Sequence, residues 1–343
     1  MSDFSRRGFI KTAAFASAAI AVAGVGLYSP RSMAAEFKLK FANNMPITHP
    51  MNARAREMAK AIREETNGAV QMQIFPSSQL GSDTDTLAQV RSGAVDMFAL
   101  SPVILGTLVP AAQISAVGFA FENYEKVWSA LDGELGAYVR GEIEKTGALF
   151  AFDKIWNNGF RVTTTSTRAV VKPEDLVGMK LRVPPSPIIM SMFRAFEAAP
   201  TSINFAEVYS ALQTRIVEGQ ENPLTLVNSA KLYEVQKYCS LTNHAWDGFW
   251  MLGNTASFAK LPLDVQGVVR KHVDAAAVGQ RADLAVMEKS ISETLKAKGL
   301  EVVDSAGTPF RDKLRDAGYY RQWRENFGET GWKILESYSG TLS

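Results

Sequence analysis

Apolar and polar residues alternate from Phe37 to Phe41, which predicts a strand with one face buried. From Pro50 the period lengthens. Met51, Ala55, Met58 and Ile62 recur at helical spacing until about Thr66, where Asn67-Gly68 stops the run. Residues 70–75 predict a second strand, Leu87–Val90 a short helix ending near Gly93, and Val95–Leu100 a third strand. That third strand is almost wholly apolar, so both of its faces are expected to be covered. Strand, helix, strand, helix, strand predicts a parallel sheet with helices packed on it.

A second set of elements follows. Ala148–Ile155 and Lys180–Val183 predict strands. Asn204, with Glu207 three residues on, predicts a capping box that opens a helix lined by Phe205, Val208, Leu212 and Ile216. Val269, Val273, Ala276, Leu284, Met287, Ile291 and Leu295 then hold helical spacing between about Leu263 and Lys298, with no proline inside. At about 1.5 Å per residue this helix is roughly 50 Å long, enough to brace two domains. A break near Gly279 into two helices is the alternative.

Composition narrows the class. The 343 residues are 46% hydrophobic and 21% charged, a globular mix that fits two moderate domains or one large one. Lys and Arg total 37 against 35 Asp and Glu, a net charge of +2, so no basic face for nucleic acid is expected. Capturing a small anion needs only one or two placed cations, which this balance allows. The single cysteine, Cys239, cannot form an intramolecular disulfide and reads as a small buried apolar residue.

The N-terminus reads as an address. Ser5-Arg6-Arg7-Gly8-Phe9-Ile10-Lys11 resembles a twin-arginine export signal, and an uncharged, alanine-rich stretch runs from Thr12 to Pro30. Ser32-Met33-Ala34 supplies the small residues of a cleavage site, so residues 1–34 are read as a signal peptide removed after Ala34, which leaves a periplasmic protein.

Motifs for catalysis, cofactors and metals are missing. His49, His244 and His272 are far apart and none has metal-ligand spacing; no glycine-rich phosphate loop, dinucleotide fingerprint or nucleophile elbow occurs. The expectation is therefore a protein that is not an enzyme and carries no cofactor and no metal.

Several longer motifs carry a positive signal. They are Pro76-Ser77-Ser78-Gln79-Leu80-Gly81, Asn158-Gly159-Phe160-Arg161, Gly178-Met179-Lys180-Leu181-Arg182-Val183-Pro184, Glu207-Val208-Tyr209-Ser210-Ala211-Leu212-Gln213-Thr214 and Val217-Glu218-Gly219-Gln220-Glu221-Asn222-Pro223, with Tyr233–Lys237 and Thr242-Asn243-His244 downstream. Over essentially the whole mature chain these resemble the solute-binding subunits of the tripartite ATP-independent periplasmic (TRAP) transporters. The resemblance implies a two-domain α/β periplasmic binding protein fold, with a ligand cleft between domains that closes by a hinge and the long helix spanning both. It also implies the partners, a small organic carboxylate and the integral membrane subunits of a TRAP transporter. A sensory protein that presents the same ligand to a receptor is the alternative. Domain I is expected over 35–158 plus 248–287, and domain II over 159–247 plus 288–343.

The resemblance also implies the site. Arg182 takes the place of the arginine whose planar fork clamps the ligand carboxylate, a match that lysine lacks. Arg161 takes the second arginine position, Asn222 that of an amide donor, Phe205 that of an aromatic packed on the ligand, and Asn44 that of a polar residue on the opposite domain. Ser101-Pro102 stands where sugar-acid-binding relatives carry a carboxylate, and Pro184-Pro185 replaces an amide. Together with Trp156, Trp246, Trp250 and Phe160 near the expected cleft segments, this points to a small carboxylate with an apolar or aromatic body, a dicarboxylate remaining open.

Overall fold

The computed structural model describes residues 35–342. The expected export signal, residues 1–34, lies outside the described residues. The first five elements follow the predicted order: β1 (Phe37–Asn43), α1 (Pro50–Glu65), β2 (Val70–Phe75), α2 (Asp83–Ser92) and β3 (Met97–Leu100). Met51, Ala55, Met58 and Ile62 are the buried stripe of α1 as the spacing predicts. β1 pairs in parallel with both β2 and β3. Ser82 and Asp85 close a capping box on α2, and Gly93 ends it in the left-handed conformation at φ 79°.

Three short helices follow: α3 (Pro102–Leu105), α4 (Tyr124–Leu131) and α5 (Glu134–Glu144). The expected strand over Ala148–Ile155 is corrected to β4 (Leu149–Ala151), and a second strand, β5 (Trp156–Thr165), begins just beyond it. The pairing breaks at Asp153–Lys154 because the Lys154 amide donates to Asp274 Oδ1, at 2.9 Å, rather than to a strand.

The chain then runs through β6 (Lys180–Val183), α6 (Pro187–Ala195), β7 (Ala199–Ser202), α7 (Val208–Gln213), β8 (Gly219–Pro223) and α8 (Leu224–Ser229). The capping box expected at Asn204 does not form. Its side-chain amide reaches Thr84 Oγ1 at 3.3 Å instead, and a 3-10 turn over Phe205–Glu207 precedes α7. Ile216 also leaves the predicted face. The helix ends at Gln213, Arg215 turns left-handed at φ 59°, and Ile216 is 64% exposed.

β9 (Tyr238–Asn254) is 17 residues long and organises the whole sheet. The strand order is β2-β1-β3-β9-β5-β8-β6-β7, with β4 also pairing with β9. The C-terminal part of β9 runs antiparallel to β3 and β4, and its N-terminal part pairs with β5. After the single-turn α9 (Thr255–Phe258), α10 (Leu263–Ala297) runs 35 residues without a break at Gly279. It buries Val269, Val273, Ala276, Leu284, Ile291 and Leu295, while Met287 is half-buried. β10 (Glu301–Asp304) adds in parallel to β9, and α11 (Gly307–Asp316) and α12 (Tyr319–Ser339) finish the chain. α10 packs on α1 through Arg54, whose guanidinium pairs with Asp283 at 2.7 Å, and reaches α8 through Lys298 on Asn228. Among the described residues no helix is long and apolar enough to cross a membrane, and no three His, Cys, Asp or Glu gather as a metal site.

Candidate ligand cleft

Six of the expected site residues meet around one small cavity of about 20 Å³. They are Asn44, Ser101, Arg161, Arg182, Phe205 and Asn222. Five arrive from near the end of a strand or the start of a helix or turn: Asn44 follows β1, Ser101 precedes α3, Arg182 lies late in β6, Phe205 opens the turn before α7, and Asn222 lies late in β8, while Arg161 sits mid-strand in β5. Crevices outside strand ends are where open α/β sheets bind ligands. Trp156 and Trp246 do not line the cavity. Trp156 packs in the core beside Phe249 and Leu226, and Trp246, with Trp250, lies in the second core, its indole N–H donating to Asn157 Oδ1 at 3.2 Å. The indoles therefore shape the walls from behind, and the apolar lining is aliphatic with Phe205 and Phe249: Met45, Val103, Ile104, Pro184 and Leu226. A wider groove of about 260 Å³, lined by Pro46, Ser77 and Ser78 on one side and Tyr209 and Lys231 on the other, adjoins it at Asn44 and Phe205.

Arg161 and Arg182 are the two buried cations among the described residues, and they differ in what surrounds them. Arg161 is held by carboxylates on two sides. Its Nε and Nη2 donate to the Glu221 carboxylate, Nη1 donates to Asp247 Oδ2 at 2.7 Å, and Nη2 also reaches Asn222 Oδ1 at 3.3 Å. Burial opposes its charge, but Glu221 and Asp247 outweigh burial and hold its pKa above the ordinary arginine value. Glu221 is equally fixed. Burial works against its ionisation, yet Arg161 and the His244 ring, at 3.1 Å, hold the carboxyl down at about 2.

Among the described residues Arg182 has no ion-pair partner. Its Nε donates to the Ile203 carbonyl at 2.9 Å, and among the described residues its two terminal nitrogens have no acceptor. Burial lowers its pKa to about 10, with Arg161 adding to the fall and Glu221 and Asp83 opposing it. A buried guanidinium without a carboxylate is costly, and an anion placed against it would remove that cost. Asn222 adds a polar group beside it. Its Oδ1 accepts from Arg161 and its Nδ2 donates to Gln220, leaving one N–H without a partner among the described residues.

The acidic members of the site are not among the residues expected from sequence. Asp247 lines the cavity and gathers Ser101, Asn158 and Arg161. Burial pushes its carboxyl up, and those three partners oppose the rise. Its signal was in the sequence, as a lone charge inside the otherwise apolar run Ala245–Leu252. Asp83, in the first turn of α2, is buried and accepts from Asn44 Nδ2 at 3.0 Å.

Residues 41–327 match the family described as bacterial extracellular solute-binding protein, family 7. The 2,3-diketo-L-gulonate-binding periplasmic protein of Escherichia coli K12 is 33% identical over 298 residues, covering 86% of this chain and 90% of that protein. The C4-dicarboxylate-binding periplasmic protein of Rhodobacter capsulatus is 30% identical over 279 residues, 81% of this chain and 80% of its own. Among solved structures, a TRAP periplasmic solute-binding protein of Sulfurospirillum deleyianum with bound succinate has a TM-score of 0.82 at 28% identity, covering 89% of this chain and 99% of that one.

Proposed function

The chain belongs to family 7 of the bacterial extracellular solute-binding proteins, and from that membership and the state of Arg182 we propose that it captures a small organic carboxylate and delivers it to the membrane subunits of a TRAP transporter. The family's role is binding for transport, not catalysis. One observation carries the ligand class: Arg182 is buried beside the cavity with its terminal nitrogens unpartnered among the described residues. A ligand carboxylate would supply the missing counter-charge and match the fork with two hydrogen bonds. Arg161, tied to Glu221 and Asp247, orients Asn222 and the β5–β8 wall rather than offering a second free fork. We read the cleft as lying between residues 35–158 plus 248–287 and residues 159–247 plus 288–343.

Export to the periplasm follows from the Arg6-Arg7 signal and the site after Ala34. Protein recovered from the periplasmic fraction should begin at Ala35, and recovery only from the cytoplasm with residues 1–34 attached would refute this.

The binding test starts from a thermal-shift screen of the mature protein against an organic-acid library, with calorimetry on the best acid. Truncating one partner of a buried charge pair costs about 2–5 kcal/mol. Arg182→Ala should therefore weaken binding at least roughly thirtyfold, and Arg182→Lys should also bind poorly. Wild-type affinity in a folded Arg182→Ala protein would overturn the assignment. Wild-type affinity in Arg182→Lys alone would refute the two-bond geometry and leave the site.

A further inference from the structure

The cavity has a second pole, and its chemistry is opposite to that of Arg182. Asp247 Oδ2 is fully engaged, accepting from Arg161 Nη1 at 2.7 Å, Ser101 Oγ at 2.9 Å and Asn158 Nδ2 at 3.1 Å. Among the described residues Asp247 Oδ1 accepts only from the same Ser101 hydroxyl, at 2.8 Å. A carboxylate oxygen takes about two donors, so one acceptor position on Oδ1 is unfilled.

Asn158 shows the same surplus. Its Nδ2 must face Asp247, since a carboxylate only accepts, and its Oδ1 is buried with no hydrogen-bond partner among the described residues. Ser101 has a single proton, and it is committed to Asp247, so toward anything else the hydroxyl is an acceptor. All three residues line the cavity that Arg182 lines. This end of the site therefore offers acceptors on all three residues, with the second Asn158 N–H as its one uncommitted donor. A buried acceptor left unsatisfied is costly, and a second carboxylate placed against Asp247 would be repelled.

We propose that Asp247, with Asn158 and Ser101, is a specificity-determining subsite that requires the ligand to carry a hydrogen-bond donor, a hydroxyl or an ammonium, in addition to its carboxylate. The ligand class is then a small hydroxy or amino monocarboxylate with an apolar body, and plain fatty acids and dicarboxylates are disfavoured. This rests on the carboxylate reading of Arg182.

One carbon skeleton separates the cases. Calorimetry on the mature wild-type protein uses butyrate, 2-, 3- and 4-hydroxybutyrate, 4-aminobutyrate and succinate. At least one donor-bearing acid should bind about tenfold or more tightly than both butyrate and succinate. Whether that acid is a hydroxybutyrate or 4-aminobutyrate tells which donor the subsite takes. Asp247→Asn should reduce the advantage over butyrate to about threefold or less. If Asp247→Asn fails to fold, the wild-type series decides alone. Butyrate or succinate binding as tightly as every donor-bearing acid overturns the subsite and leaves the carboxylate reading standing. No binding by any of the six overturns both.

Discussion

Two arginines of equal burial do different work, and nothing in their immediate sequence says which is which. Family resemblance marks both Arg182 in Lys-Leu-Arg-Val-Pro and Arg161 in Asn-Gly-Phe-Arg. Their difference lies in Glu221 and Asp247, which the chain brings to Arg161 from β8 and β9 and keeps from Arg182. Local sequence does not carry such pairings, so charge partners across strands were the least legible part of the site. Asp83 is a further case, and it yields a pH prediction. Burial lifts its carboxyl to about 6, against the Asn44 donor, Arg182 and the Phe205 amide. The folded chain therefore holds this proton more tightly than the unfolded chain, whose aspartates titrate near ~4. The wild type carries the full cost of a buried charge above about pH 6 and regains stability as pH falls from there toward ~4, on the order of 3 kcal/mol in all. Asp83→Asn cannot titrate and lacks the gain. His49, lowered by burial to about 4, titrates in both proteins and cancels. Thermal melts at several pH values should show the variant losing ground to wild type between pH 7 and pH 4.5; a constant difference would show that Asp83 is not the titrating group.

At the level of elements, legibility follows periodicity. β1, β2, α1 and α10 appear where alternation or helical spacing placed them, because each has one covered and one wet face. β5 and β9 escaped because they are buried almost throughout, which erases the two-residue period. β5 also opens with Trp156-Asn157-Asn158-Gly159, residues that read as a turn. The strand survives there because α10 supplies what the ladder does not. A register shift separates Asn157 from Gly159, and Gly159 stands at φ 128°, a conformation that suits glycine. The Gln280 side chain accepts from the Asn157 amide at 2.9 Å and donates to its carbonyl at 2.8 Å, fully buried. Gln280→Met keeps the shape and removes both bonds, stranding two backbone groups at about 1–3 kcal/mol each. Urea unfolding should show a loss of about 2–6 kcal/mol with an unchanged slope. A loss under about 0.5 kcal/mol, the range of ordinary surface changes, would mean that the amide is incidental.

For the whole molecule, the expectation of two crossed-over domains joined by a long helix rested on the length of α10, and its 35 unbroken residues span about 52 Å. The sequence did not reveal that β9 is the common strand, pairing β3 and β4 at one end and β5 and β10 at the other. The cavity between these parts, about 20 Å³, has room for about one water. A four-carbon acid is several times larger, so a ligand of that size requires the walls to part, as hinge closure about a ligand would allow. X-ray scattering should give a smaller radius of gyration with a tight ligand than without one, and an identical radius at saturation would argue against closure.

The sharing of β9 also sets an order in time. β3, Met97–Leu100, is buried along its whole length and finds its second neighbour in Trp250–Gly253, far later in the chain. At about 5–20 residues per second, a ribosome needs on the order of 10 s to cover that interval. Until then the nascent chain presents an unpaired apolar strand edge, the kind of template on which other chains add. Aggregation during synthesis, rather than loss of the finished fold, is thus where this protein is most exposed, and any chaperone that protects it must act before Gly253 emerges.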